Sequence, residues 1–532
     1  MKAFADLLDR LSYSPGRNTK LRLMREYFEA TPDPDRGWAL AALTDGLPFS
    51  FPVRRTIMEL MERRVDAELF RLSRDYVGDT AETVALIWPA ADREAEPPRL
   101  AEVIHRLGLI DGNDLGDVVA AWLDRLDATE RWALLKLLTG ALRVGVSARL
   151  AKTSLAELGG RSVGDIEEVW HALTPPYLEL FAWFEGRAER PDAADAPVFR
   201  PLMLSHPLED ADFAALDVGE FAAEWKWDGI RVQIASAGSE ARIYSRTGED
   251  VGRSFPDLVP LFQFDAVVDG ELLVLRDGEV APFNDLQQRL NRKTVTRAMT
   301  ERFPAHIRLY DLLMVSGEDL RGLSFSERRR RLEAWHAATR PPRTDLSELI
   351  DFDGKDALHE LWRTTRSAGI EGLMLKRRTS PYLAGRPRGH WYKWKRAPIT
   401  ADCVLMYAQR GSGKRSSYYS DYTFGAWTSG ADGGLELVPV GKAYSGYTDA
   451  ELLELDRWVR NNTVERFGPV RAVSPALVLE VAFDAVQRSA RHRSGIAMRF
   501  PRIHRIRWDK PAAEAERLET LFGFIEGQNS AA

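Results

Sequence analysis

Near residue 190 the spacing of apolar side chains changes, and that change constrains the fold more than any other feature of the sequence. Up to about residue 185 apolar positions recur every three or four residues, as in ERWALLKLLTGALRVGVSARLAKTSLAEL, the period of amphipathic helices. Gly140 and Gly145 interrupt the pattern, and Ser147 is placed to cap a following helix. A polar, proline-punctuated stretch, EGRAERPDAADAPVFRP, reads as a linker. Beyond it AEWKWDGIRVQIAS, ARIYSRTGE, AVVDGELLVLRDG and HIRLYDLLMVSG alternate or run apolar over strand lengths. Helical segments such as SFSERRRRLEAWHAAT lie between them; Ser324 and Glu327 fit a capping box, and the four arginines that follow read as a solvated helix face without a role. After WYKWKRAPITAD, five short strands with one helix, TDAELLELDRWVRN, before the fourth fit a small OB-type barrel. The expected fold is multidomain: an all-α domain over residues 1–190, an α+β domain over 200–398 and a C-terminal β-barrel OB-fold over 399–532.

A chain of 532 residues is too long for one ordinary core, and 45% hydrophobic with 29% charged residues is the balance of a globular protein. The first twenty residues lack a continuous apolar region, and no stretch approaches the roughly 20 apolar residues of a membrane helix. A cytoplasmic protein with no membrane partner is expected. Cys403, the single cysteine, excludes an internal disulfide and a cysteine-rich zinc site, and reads as a buried small hydrophobe. The formal charge of 73 − 79 = −6 does not by itself nominate a nucleic-acid binder. The local distribution does: Lys376 to Arg396 holds eight Lys or Arg and no acid, and Arg488 to Lys510 holds eight against Asp509 alone. Such blocks in an acidic chain suggest phosphate-facing surfaces. The Gly145 turn, beside Arg143, Arg149 and Lys152, either presents backbone amides to a DNA phosphate or is a plain helical corner.

The sharpest local feature is Glu224-Trp225-Lys226-Trp227-Asp228-Gly229-Ile230-Arg231. Strand alternation puts Glu224, Lys226 and Asp228 on one face. A lysine between two carboxylates is either an ordinary ion pair or a used nucleophile, and the four-letter pattern alone does not decide. Downstream, in order, come Arg246 in SRTGE, Glu271 in VVDGELL, Tyr310 in LYDLL, Glu371 and Lys376 in EGLMLK, Lys393 and Lys395 in WYKWK, and Arg499, Arg507 and Lys510 in RFPRIHRIRWDK. This ordered set resembles the covalent nucleotidyltransferase superfamily, and within it the ATP-dependent DNA ligases. The specific motifs cover residues 200–510; the helical part is similar chiefly through its position and LTGALRVGVS, and the whole resembles a stand-alone bacterial form with an N-terminal DNA-binding domain.

The resemblance implies an adenylation domain at 200–398 and a reaction with ATP in which Lys226 bonds AMP, passes it to the 5′-phosphate of nicked duplex DNA, and the 3′-hydroxyl displaces it. It further implies that Glu224 contacts adenine, Tyr310 stacks on the base, and Arg231 and Arg246 hold phosphate or the nicked strand. Glu271 meets the ribose and, with Glu371, Mg²⁺; Lys376, Lys393 and Lys395 contact the α-phosphate and AMP. Arg388 is a further nucleotide contact, and Arg499, Arg507 and Lys510 orient the departing pyrophosphate while Asp509 orients arginines. A monomer encircling DNA is the form it implies. The physics agrees with the composition of the set: a free lysine has a pKa near 10.4, so roughly one in a few thousand is neutral at pH 7. Lys393, Lys395 and a Mg²⁺ near Glu371 are expected to depress that pKa while neutralising the phosphoryl group. Thr247 departs from the usual asparagine and Trp394 from a usual aliphatic, both read as packing near the nucleotide.

The competing readings are an RNA ligase or RNA-capping guanylyltransferase of the same superfamily, against which the helical region argues, and a catalytically silent DNA-binding scaffold, against which Lys226, Glu371 and Lys393 argue. An NAD-dependent ligase is expected to carry a four-cysteine zinc module, which one cysteine excludes. GSGK at Gly411–Lys414 fails as a P-loop, since the first glycine is absent and Arg415 stands where Ser or Thr is needed. DGNDLGD from Asp111 fails as a calcium loop, with Leu115 at a ligand position and Trp122 in place of the closing glutamate. The histidines form no HExxH pair.

Overall fold

A computed structural model describes all residues except 48–52, 78, 90–95, 111–113, 141, 194–195, 291, 293, 365–368, 397, 412–416, 431–432, 491 and 530–532. Most of the GSGK tract and the start of the Asp111 loop therefore lie outside the described residues. Backbone contacts divide the chain into two compact units, one of Met1–Gly160, Pro175–Glu185 and Pro398–Gly527, the other centred on Gly186–Ala397 together with Arg161–Thr174.

The N-terminal part is helical, with twelve α-helices among the described residues from Lys2–Tyr13 to Leu178–Phe184. Its punctuation follows the sequence. Helix Ala128–Thr139 starts with an Asp127–Glu130 capping box and stops at Gly140, whose φ of 64° is left-handed. Ser147 accepts from the Leu150 amide and caps Ala148–Gly159. The turn before it is closed from within: Lys20 Nζ donates to the carbonyls of Val144 at 2.6 Å and Gly145 at 2.9 Å. Arg143 and Arg149 are exposed, but Lys152, expected beside them at the surface, is buried. Its apolar stem lies on the inner face of the helix, between Ala151 and Ser154.

The central unit is built on two mainly antiparallel sheets, each with one short parallel strand. One contains β1 (Phe221–Trp227), which pairs with β6 (Ile370–Arg377), which pairs in turn with β7 (Trp391–Lys395). The other runs β3 (Glu240–Ser245), β2 (Ile230–Ala237), β4 (Ala266–Arg276), β5 (Ala305–Val315). Ala222 of β1 and Trp391 of β7 share a buried cluster with Ala235, Tyr244, Val267 and Leu313 of the second sheet, so the sheets pack on one another. Burial of each large side chain there contributes about 1.5–3 kcal/mol.

Helix Phe325–Thr339 starts at Ser324, which caps the Glu327 amide, but the reciprocal half of the expected capping box is missing. Glu327 binds Arg330 and Arg331 instead. The arginine run is not one solvated face. At a helical period of 3.6, two of four consecutive side chains turn inward. Arg328 is fully buried and forks onto Asp311 at 2.8 and 3.0 Å, and Arg329 is buried against β1 and the strand Leu349–Ile350.

The C-terminal part is a curled β structure of the OB type. β8 (Ile399–Arg410) pairs with β9 (Tyr419–Ser429), and β9 with β10 (Leu435–Ala443). Helix Asp449–Asn461 follows, capped by Thr448 and Glu451. The hairpin β11 (Thr463–Phe467) and β12 (Val470–Val473), which the hydropathy pattern did not distinguish, precedes β13 (Val478–Phe483). The last two expected strands are each broken. β13 pairs with β8 and with β16 (Arg502–Arg507), while β14 (Ala485–Arg488) and β15 (Ile496–Arg499) form a separate hairpin. Cys403 is fully buried in this core, as expected.

The Asp311–Arg328 pair is entirely shielded from water, so removing one partner leaves an uncompensated buried charge. Arg328→Met is expected to cost about 3–5 kcal/mol of stability. Thermal or urea unfolding of the variant checks this, and a loss below ~1 kcal/mol contradicts it.

Candidate active site

β1, β6 and β7 lie side by side, and their register explains the spacing of the charged motifs. Lys226 faces Gly372, and Gly372 faces Lys395; Glu224 faces Met374, and Met374 faces Lys393. With a period of two, Glu224 and Lys226 on β1, Lys376 on β6, and Lys393 and Lys395 on β7 share one face. Trp225 and Trp394 take the other. Trp394 packs on Phe213 and stacks on Trp362 at 4.8 Å, so its place is a core cluster on the far side of the sheet from Lys226 and not beside a nucleotide.

Glu371 breaks the alternation. Between Ile370 and Gly372 the ladder shifts, leaving Glu371 as the extra residue of a β-bulge, and this turns its carboxylate to the Lys226 side. Its Oε2 lies 2.7 Å from Lys226 Nζ and 3.0 Å from Lys395 Nζ. The bulge needs glycine at 372, because φ is 150° and a Cβ there stands 2.1 Å from the Trp394 carbonyl oxygen. Gly229 is likewise fixed by close approach: a Cβ meets the Leu272 carbonyl at 2.5 Å and Glu271 Cγ at 2.8 Å.

The charges divide into an upper and a lower group. In the upper one, burial alone lowers the Lys226 pKa, but Glu371 and Glu271 outweigh it and hold the amine above its usual value. Burial likewise opposes Glu371, yet Lys226 and Lys395 bring its carboxyl to about 2. The expected depression of Lys226 is therefore not the resting condition; an anion in contact outweighs cations farther away. The Glu271 carboxyl makes no hydrogen bond or ion pair among the described residues, and burial pushes it up to about 7 against Lys226 and Arg231. Lys393 has no carboxylate partner among the described residues; burial, then Lys395, Arg386, Arg246 and Lys226, lower its pKa.

The lower group is buried. Lys376 meets Glu224 at 2.6 Å, with its Nζ 4.4 Å from the Tyr310 ring centre, 4.7 Å from Trp391 and 5.0 Å from Phe325. Burial pushes the Glu224 carboxyl up and the Lys376 ammonium down, each against the pull of the other. Arg231 is also engaged within the protein: it donates to the Met203 carbonyl at 2.6 Å, to Asp269 at 2.7 Å and to Tyr382 Oη at 3.0 Å.

The structure thus brings together Glu224, Lys226, Arg231, Glu271, Tyr310, Glu371, Lys376, Lys393 and Lys395, with Arg246 exposed but near enough for its charge to reach Lys393. Arg388 is exposed and its side chain makes no hydrogen bond or ion pair among the described residues; its neighbour Arg386 is the one whose charge reaches Lys393. Arg499, Arg507 and Lys510 stand on the barrel, in the other unit. There Arg507 and Lys510 meet on Asp402 at 3.2 and 2.8 Å, and Asp509 binds Arg507 at 2.9 Å. The sequence reading missed Asp269, Tyr382, Arg308 and Arg329. Arg308, fixed by Asp345, lies 4.2 Å over the Trp227 ring.

Comparison with known proteins places residues 202–395 in the ATP dependent DNA ligase domain family and 415–510 in the ATP dependent DNA ligase C terminal region family. A probable DNA ligase of Koribacter versatilis is 34% identical over 428 residues, 76% of this chain and 73% of that one. A DNA ligase of Thermococcus fumicolans is 33% identical over 401 residues, 73% of this chain and 70% of that one. Among solved structures, Pmar-Lig_PreS3 matches 95% of this chain and 99% of its own, with 17% identity and a TM-score of 0.58, which supports the fold.

Glu371→Gln removes the anion that holds the Lys226 proton, so the Lys226 pKa is expected to fall. Acetylation of the amine by anhydride, followed by peptide mass spectrometry across pH, reports it. Lys226 of the variant is modified at lower pH than in the wild type; identical profiles contradict the assignment.

Proposed function

The chain belongs to the ATP-dependent DNA ligase family and seals nicks in DNA with ATP, and on that premise we propose that the amine of Lys226 is the group that carries AMP. The observation that supports this most directly is the convergence of Glu371, Lys395, Glu271 and Lys393 on one strand-borne amine. Lys226 Nζ, having lost its proton, bonds the α-phosphorus of ATP while the bond from that phosphorus to the bridging oxygen breaks and pyrophosphate leaves. The AMP then moves to the 5′-phosphate at the nick, freeing the lysine, and the 3′-hydroxyl attacks that phosphate and expels AMP. Lys393 and Lys395 face the transferring phosphate and stabilise its charge. Glu224 accepts from the base and Tyr310 lies against it; Glu271 receives the ribose. Lys376 acts from below, through Glu224, and not on the α-phosphate. Arg246 and Arg386 offer exposed charge to phosphate, and Arg499, Arg507 and Lys510 of the barrel serve the leaving pyrophosphate.

Glu271 and Glu371 fit Mg²⁺, which takes one or two carboxylates and completes its shell with water and substrate phosphates. When bound, the ion supplies neutralising charge to the polyphosphate. A cytoplasmic monomer is proposed to encircle nicked duplex DNA, held by the helical part and the basic stretches; no helix among the described residues is long and apolar enough to cross a membrane.

Protein incubated with ATP labelled at the α-phosphate and Mg²⁺ is expected to acquire a denaturation-stable label, and Lys226→Ala to acquire none. Equal labelling of the variant rejects the assignment. Sealing of nicked duplex is expected to fall steeply with salt, since about one counterion is released for each phosphate neutralised by Lys or Arg. Binding that does not change between low and moderate salt counts against the basic stretches as the DNA surface.

A further inference from the structure

The arginine run after Glu327 supplies a residue to the base end of this site. Glu224 is 2% exposed, and its two oxygens are in unlike circumstances. Oε2 pairs with Lys376 at 2.6 Å, whereas Oε1 is buried with no hydrogen-bond donor among the described residues. Arg329 Nη1 lies 3.7 Å from Oε1, too far for a hydrogen bond and close enough for a strong charge interaction at a buried site. Arg329 is not free to turn. Its Nε donates to Glu333 at 2.6 Å and its Nη1 to the Ser347 carbonyl at 2.6 Å. Ser347 stands two residues before Leu349, the cross-strand partner of Glu224, so the anchor lies on the segment that leads into the strand beside the carboxylate. Burial pushes the Glu224 carboxyl up, and Lys376 and Arg329 pull it back toward the charged form.

We propose that Arg329 is a positioning residue for base selection: clamped by Ser347 and Glu333, it orients the Glu224 carboxyl so that Oε1, which has no hydrogen-bond donor among the described residues, is kept as an acceptor for the base. A base placed beside it must then donate a hydrogen. The exocyclic amine of adenine does so, and the O6 carbonyl of guanine presents an acceptor to an acceptor. A site built around a buried polar group rejects the base that leaves it unpaired. The inference rests on the nucleotide lying against Lys226 and Glu224, as proposed above.

The test measures lysine labelling of the full-length protein by α-labelled ATP and by α-labelled GTP, with Mg²⁺, for the wild type, Arg329→Met and Arg329→Lys. Arg329→Met is expected to raise the KM for ATP about tenfold and to cut the preference for ATP over GTP about tenfold, with the rate at saturating ATP changed less than about twofold. A purely structural role lowers the active fraction and leaves both KM and preference in place. A folded Arg329→Met protein with the wild-type KM and preference overturns the inference. If Arg329→Met does not fold, Arg329→Lys decides: one ammonium nitrogen cannot stand both where Nε meets Glu333 and where Nη1 meets Ser347, so half of the clamp is lost and a severalfold loss of preference is expected, and an unchanged preference overturns the inference. Label on Lys226→Ala is failure of the proposed function itself; a silent Lys226→Ala with an unaltered Arg329→Met is failure of the inference alone.

Discussion

A carboxylate and an amine on neighbouring strands meet at 2.7 Å because one strand carries an extra residue. Without the bulge at Glu371, strict alternation turns that side chain away from the face that Lys226 occupies. The pairing has two effects. It lets a charged lysine sit in a mostly buried position, and it fixes the amine where Lys393 and Lys395 stand across the sheet. The surrounding glycines follow from the same constraint, since Gly372 allows the bulge and Gly229 allows β2 to leave β1 directly against β4.

Below that pair lies a layer of buried charge. Asp311 with Arg328, Glu224 with Lys376 and Arg329, and Asp269 with Arg231 and Tyr382 are each withdrawn from water. Such pairs add little net stability over apolar packing, because desolvation offsets much of the attraction. Their value here is geometric. Each holds a side chain of the base or phosphate region in one orientation, and each makes the loss of a single partner costly. The aromatic rings around Lys376 complete the layer by giving a buried ammonium a polarisable surround.

The parts of this arrangement that depend on period were legible in the sequence. The change of spacing near residue 190 separated the helical part from the sheets, and the order of Glu224-x-Lys226, Glu371 and Lys393-x-Lys395 marked the site. The parts that depend on register were not. Nothing in EGLMLK marks Glu371 as a bulge residue, and nothing in ERRRRLEAW tells Arg328 and Arg329 from Arg330 and Arg331, because inward and outward faces are set by what the helix packs on. Lys376 and Lys152 illustrate the same limit: both were read among surface basic residues and both are buried, Lys376 against Glu224 of a different strand. The sign of the Lys226 shift was missed for a related reason, since it depends on which charge is in contact.

The central claim is that one amine, held by Glu371, is the covalent acceptor. The most direct measurement is peptide mass spectrometry of the protein after brief reaction with ATP and Mg²⁺ in the absence of DNA. The account predicts the mass of one AMP on the peptide containing Lys226, joined to that side chain, and on no other peptide. AMP attached to Lys393, Lys395 or any other residue, with the Lys226 peptide unmodified, would contradict it.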